Sequence, residues 1–286
     1  MNGSLFDSKR PVAIMALAVL AVTILGASGC SKLKARDKLN QGVQAYKNGQ
    51  PDAAIEDFKE SKALDPTLMM ARLYLATAYQ GQYIPGAPSA DNQRNANQAL
   101  QEYKDVLSID PNNLTAIDGM GSLVFSMGTT PPAGSTVPYD ASKFEESKTY
   151  HEKHIQIKPE DPEPYYWVGV IDWTLAWHAN REMRAAYNTA NPKKQIKDDQ
   201  PLPPNLRDEF ASKYGQDVDE AIDYLKKAIE RKPDYDDAMA YLNLVYRQKA
   251  DMVSSTDERN ALIKQADDLI EQVKQIKQRK GQATGD

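Results

Sequence analysis

The sequence predicts an all-α chain assembled from consecutive helix pairs. Three observations carry this. Apolar residues recur at i, i+3, i+4 and i+7, as in Ala54, Ile55, Phe58 and Ser61, or Ala221, Ile222, Leu225 and Ala228. Four such runs end at an X-Pro corner: Asp65-Pro66, Asp110-Pro111, Lys158-Pro159 and Lys232-Pro233. Proline stops a helix because it lacks an N–H and clashes with the preceding turn. Ahead of each run stands another helical stretch with a small residue where two backbones approach: Gly42, Ala76, Gly121 and Gly169, with the larger Asn243 in the last.

Composition bounds the rest. Of 286 residues, 26% are charged and 41% hydrophobic, with a mean hydropathy of -0.63, an ordinary soluble balance. The net charge of -5 argues against nucleic acid as a partner, which needs a concentrated basic surface. The single cysteine, Cys30, rules out an internal disulfide framework.

The first element is a leader. Lys9 and Arg10 precede an uncharged, mostly apolar stretch from Pro11 to Leu25, followed by Gly26, Ala27, Ser28, Gly29 and Cys30. This resembles the lipobox of bacterial lipoproteins, with Ala27 where leucine is usual. The resemblance implies cleavage before Cys30, lipidation of its thiol and a location in the cell envelope. Ser31 in place of an aspartate implies the outer membrane, facing the periplasm. The alternative is an uncleaved anchor over Pro11 to Ser31, just long enough to span a bilayer. The expected organisation is a signal peptide over 1–29, a lipidated tether over 30–34, repeats over 35–279 and a flexible tail over 280–286.

The repeats resemble the tetratricopeptide repeat, a helix-turn-helix of 34 residues. Its small residue on the first helix is matched by Gly42, Ala76, Gly121 and Gly169. The small residue opening the second helix is matched by Ala54, Ala99 and Ala221, more loosely by Ser147 and Ala266. The large residue that follows is matched by Phe58, Tyr103 and Leu225, and the closing proline by Pro66, Pro111, Pro159 and Pro233. In the third repeat His151 and His154 stand where a large residue and an alanine are usual. About five repeats result, near 35–68, 69–113, 114–161, 162–235 and 236–279. The resemblance implies a superhelical α-solenoid with insertions between paired helices. The largest, about forty residues beyond the 34-residue period, includes "NPKKQIKDDQPLPPNL". "TLAWHANREMRAAYN" is rich in helix formers, so the helix through Trp177 is expected to run well beyond it. The inserts are either tolerated loops or binding edges.

In the family, first helices line an inner groove. That places Tyr46, Tyr74, Thr77, Ser122, Phe125, Tyr166, Val170 and Trp173 as candidate groove residues. The set lacks the Lys, Arg and Asn clamp that holds a peptide C-terminus, so an amphipathic helix or extended apolar segment is the expected occupant. The alternative is packing between repeats. The same choice applies to Tyr166, Trp173 and Trp177, whose spacing keeps them on one helical side.

His151 and His154 lie three apart on a helix and could share a metal, with His178 or Asp172 completing it. "HEKH" is not the HExxH of zinc proteases, and buried or surface histidines explain the pair as well. No phosphate loop, dinucleotide fingerprint or nucleophile elbow is present. No catalytic residue and no cofactor are therefore expected. The resulting expectation is a non-enzymatic, lipid-anchored scaffold for protein partners. Two alternatives are a subunit of an envelope machine for protein assembly, pilus biogenesis or secretion, and a periplasmic metal- or ligand-binding protein.

Overall fold

The computed structural model describes residues 30–131 and 138–283. Among them all regular structure is helical. The leader expected over 1–29 lies outside the described residues, and no described helix is long and apolar enough to cross a membrane. The chain divides into two compact units, residues 1–116 and 117–286.

The first unit holds α1 (residues 30–47), α2 (Pro51–Leu64), α3 (Met69–Gln82) and α4 (Ala90–Ile109). Residues 30–34, expected as a tether, are helical instead. The reason is local, since Lys32, Leu33, Lys34, Ala35 and Arg36 are all good helix formers. α1 ends at Gly49, whose φ of 71° turns the chain back into α2. Consecutive helices pack as antiparallel neighbours, α2 on α3 and α3 on α4. A network of charge ties three of them: Lys62 of α2 and Arg72 of α3 both pair with Glu102 of α4, and Arg72 also reaches Asp105 at 2.9 Å.

The second unit begins within α5 (Leu114–Gly128) and continues through α6 (Ala141–Ile157), α7 (Pro162–Ala190), α8 (Pro204–Arg231), α9 (Asp236–Ala250) and α10 (Thr256–Ala283). α7 packs against α6, α8 and α9, and α10 against α9. α7 does run far past Trp177, to Ala190. Much of the largest insertion therefore lengthens α7 and α8, leaving a short connector over 191–203. Asn188 folds that connector back by exchanging two hydrogen bonds with the Ile196 backbone, at 3.0 and 2.8 Å. The expected tail from residue 280 is also helical as far as Ala283. Lys280 there donates to Asp236 at 2.7 Å.

The repeat is visible in the hydrogen bonds of its corners. At each of the four X-Pro corners the residue before proline donates its N–H to the carbonyl four residues back: Asp65 to Ser61, Asp110 to Val106, Lys158 to His154, Lys232 to Ala228. Its own carbonyl then accepts from three residues ahead, from Leu68, Asn113, Asp161 and Tyr235 respectively. Where the residue is aspartate its side chain adds an Asx turn, accepting from the N–H of Thr67 or Asn112. This explains the recurring Asp-Pro.

Small residues meet large ones between paired helices. A Cβ placed on Gly42 would lie 2.5 Å from the Phe58 ring, and one on Gly169 would lie 2.5 Å from Leu225. Backbone approach that close requires glycine. Ala54, Ala99, Ser147, Ala221 and Ala266 are all fully buried.

Candidate functional site

In the first unit Tyr46, Tyr74 and Thr77 come together, with Val43, Lys47 and Phe58, around an open cleft of about 240 Å³. Tyr46 projects from α1, Tyr74 and Thr77 from α3, and Phe58 of α2 forms the floor. Tyr74 stacks on Phe58 with centroids 5.6 Å apart and planes at 19°. Tyr46 is 41% exposed and Tyr74 37%, high for large aromatic side chains. The Tyr103 hydroxyl donates to Gln80 at 2.8 Å and lies 3.4 Å from Thr77 Oγ1. Burial pushes the Tyr103 phenol above its ordinary value, so it stays neutral beside the cleft.

The other groove candidates lie in the second unit and do not form one surface. Tyr166 and Trp173 stand on either side of Tyr241, in edge contacts at 5.7 and 5.1 Å, and Trp173 stacks on Trp177 at 5.8 Å. This row keeps to one side of α7, as the spacing implies. Phe125 packs between Phe144 and Trp167, and Ser122 is half-buried on α5. Val170 is only 2% exposed. It belongs to the packing rather than to a groove, because three helices cover α7 and leave it few open faces.

The three histidines go separate ways. His151 is 1% exposed and lies flat against Trp167, centroids 5.6 Å apart and planes at 11°. Its Nε2 would be 2.7 Å from a Cβ on Gly121. It therefore fills the place that Phe58 takes against Gly42. Neither ring nitrogen makes a hydrogen bond, and burial pulls its pKa down to about 3, with His154 adding to the effect. His154 Nδ1 sits 2.6 Å from Asp118. His178 stacks on Tyr139 at 4.0 Å. Among the described residues no group of three or more His, Cys, Asp and Glu is placed to hold a metal ion.

Asp172 is 1% exposed and pairs at 2.8 Å with Lys148, which also reaches Glu220 at 2.9 Å. Burial raises the Asp172 carboxyl, and Lys148 opposes that rise. The arrangement joins α6, α7 and α8. The second carboxylate oxygen, Asp172 Oδ2, is buried and accepts no hydrogen bond.

Sequence reasoning missed a second cleft, of about 420 Å³, in the second unit. Trp173, Trp177 and Leu244 supply its apolar wall, and Arg181, Arg184 and Gln248 border it. Arg184 is pinned by Asp251 at 2.7 Å, by Asn180 at 2.7 Å and by the Lys197 carbonyl at 2.9 Å. No local signal announces it, because Arg184 and Asp251 are 67 residues apart.

Residues 213–235, the end of α8 and its corner, match the family model described as tetratricopeptide repeat. No curated protein sequence matches the chain. Among solved structures, the chain is similar to MamA (residues 41 to the end) from Desulfovibrio magneticus RS-1, with a TM-score of 0.53 and 14% identity, over 86% of this chain and 96% of that one. It is also similar to another crystal structure of MamA protein, with a TM-score of 0.52 and 16% identity, over 83% and 92% of the two chains. At such identities the likeness is one of fold. Together with the repeated corners and the small-against-large contacts, these matches give the chain the fold of a tetratricopeptide-repeat array, with one repeat segment, 213–235, matched in sequence.

Proposed function

We propose that the chain is a non-enzymatic scaffold, held at the bacterial cell envelope by a lipid on Cys30, that seats a segment of a protein partner in the Tyr46–Tyr74 cleft. A tetratricopeptide fold is suited to protein–protein interaction, but fold alone does not name a function. The observation that carries the proposal is the cleft itself. Two exposed tyrosines line it together with a buried phenylalanine, on which Tyr74 stacks. Aromatic anchors of this sort dominate binding energy at protein interfaces, and the cleft suits an apolar side chain of an amphipathic helix or extended segment.

The anchor is supported by the sequence around Cys30, which is exposed at the start of α1. Lys32, Lys34 and Arg36 are exposed in the first turns that follow, where anionic headgroups would attract them. With no tether between the lipid and α1, the first unit would lie against the membrane. The outer membrane, on its periplasmic side, is the location proposed.

A photo-crosslinking amino acid at position 74, activated in native membranes, tests the cleft. A discrete crosslinked partner is expected, and its loss on Tyr46→Ala. A stable stoichiometric complex on solubilisation would make the partner part of an envelope machine. Crosslinking to nothing, or to a broad unselective set, refutes the cleft reading. For the anchor, Cys30→Ala should accumulate as an unprocessed precursor that takes up no labelled lipid; normal processing would refute it.

A further inference from the structure

Apart from residues bordering the two clefts, four large apolar side chains stand exposed among the described residues: Leu33, Met70, Ile84 and Ile109. Leu33 is 64% exposed and Ile109 60%. Single exposed apolar residues are ordinary, but three of these four share one edge of the first unit. Leu33 lies in the first turn of α1, Met70 in the first turn of α3, and Ile109 ends α4. Contacts join these ends. Ser61, near the end of α2, donates to the Ala35 carbonyl at 2.7 Å. Asn113, just past α4, donates to Met69 Sδ at 3.5 Å. The Asp65 carboxyl at the α2–α3 corner is held below its ordinary range first by hydrogen bonds from Thr67, with the nearby charges of Lys32 and Arg36 adding to the effect. Ile84 stands at the opposite ends of α3 and α4.

The same edge carries Lys32, Lys34 and Arg36, all exposed and none in an ion pair among the described residues. They occupy the first two turns of α1, where the helix dipole favours anions. α2, α4, α7, α9 and α10 each place an acid in their first turn. The corner aspartates are engaged within their own turns: Asp65 accepts from Thr67, and Asp110 from Asn112 and Asn113. Cations set against the dipole, beside exposed apolar side chains, suit a layer that is anionic at its surface and apolar beneath. The sequence places such a layer here. The uncharged, mostly apolar stretch from Pro11 to Leu25 and then Cys30 run directly into Leu33. Whether a lipid on Cys30 or that stretch itself enters the bilayer, the attachment joins the folded chain at this edge.

Resting on the membrane attachment already proposed, we infer that this edge is a second membrane contact. Leu33, Met70 and Ile109 insert below the headgroups of the membrane that holds the chain, and Lys32, Lys34 and Arg36 meet anionic headgroups. The contact stands the helices of the first unit end-on to the bilayer. Tyr46 follows Leu33 along α1, and at 1.5 Å of rise per residue the Tyr46–Tyr74 cleft is held about 20 Å from the lipid. The lipid thus fixes where the chain is, and the edge fixes which way the cleft faces.

The test uses the full chain reconstituted in vesicles of phosphatidylethanolamine and phosphatidylglycerol that contain a nitroxide-labelled lipid. A fluorescent amino acid replaces either Asn112, at the edge, or Gln93, near the opposite end of α4; both positions are exposed. Flotation reads attachment, and quenching by the nitroxide reads contact. The chain should float, with emission quenched at position 112 and not at 93. Leu33→Ser combined with Ile109→Ser should abolish the quenching at 112 while the chain still floats. Attachment without quenching at 112, equal quenching at both positions, or quenching that survives the two serines overturns the edge and leaves the attachment standing. A chain that does not float overturns both. A photo-crosslinker at position 112 that captures a second copy, with no lipid quenching there, would assign the edge to a dimer and overturn the membrane contact.

Discussion

The two units solve one packing problem with different chemistry. In the first, Gly42 lets α1 approach the ring of Phe58. In the second, Gly121 lets α5 approach His151 equally closely. The distances match, but the side chains do not. Phe58 brings apolar surface and a stacking partner in Tyr74. His151 brings the shape of a ring and a stacking partner in Trp167, along with two nitrogens that bond to nothing. The repeat fixes how near the backbones come, and leaves the chemistry of the filling residue open. The second unit uses that freedom widely. Buried Asp172, Arg184 and His154 have polar partners there; the first unit also buries paired Glu102 and Asn92, but fills its glycine contact with the apolar Phe58.

The largest expected effect breaks the apolar side of this comparison. Phe58→Ala should destabilise the first unit by about 4 kcal/mol, through lost burial and the cavity left behind. Amide exchange across α2 and α3 would read it. Protection as in the wild type would show that the Gly42 contact is dispensable. On the polar side, Arg184→Met leaves Asp251 buried without its cation and should cost about 3 kcal/mol. Faster exchange should then appear in α9 and in the connector over 191–203, both of which Arg184 holds.

Exchanging the chemistry sharpens the comparison further. His151→Phe should stabilise the second unit by about 1 kcal/mol at neutral pH, because two unsatisfied buried nitrogens disappear. The gain should grow in acid. His151 has a folded pKa of about 3 against an ordinary 6.5, so below pH 6.5 the unfolded chain binds the extra proton. Each pH unit from there down to about 3 costs the wild type up to ~1.4 kcal/mol at this site. Asp172 has the opposite sign. Its raised carboxyl favours the folded state in acid and loses that contribution as pH rises through its folded value. Asp172 is present in both proteins, so the difference between variant and wild-type urea titrations isolates His151. A pH-independent difference would contradict the assignment.

The smallest effect concerns what the units share. Ser61 Oγ donates to the Ala35 carbonyl at 2.7 Å, and Ser147 Oγ to the Gly121 carbonyl at 2.8 Å, both in buried sites. Ser61→Ala and Ser147→Ala should each cost about 1 kcal/mol, measurable by urea unfolding. A marked inequality between them would mean that the two helix pairs are less alike than their hydrogen bonds.

Much of this was legible in order along the chain. The corner prolines, the small residues at Gly42, Gly121 and Gly169, and the long run of α7 all follow from signals within a few turns. His151 was legible as the residue at a large position, but its burial against Trp167 was not. Val170 shows the limit on the other side. Its spacing with Tyr166 and Trp173 suggests one exposed face, yet α7 has three helical neighbours and Val170 is enclosed. Tyr46 and Tyr74 are legible as candidates from their first-helix positions, but only folding brings them to one cleft with Phe58.

The sequence by itself determined the helices, their corners and the positions of close approach, because these rest on backbone sterics and spacings of three to seven residues. It also placed Cys30 within a lipobox-like stretch. The tertiary structure alone decided which clefts stay open and which polar groups find partners. Those outcomes depend on residues such as Arg184 and Asp251, or Gln248 and Trp173, that meet across 67 and 75 positions. No local pattern encodes such a meeting, since it is set by how whole helices pack.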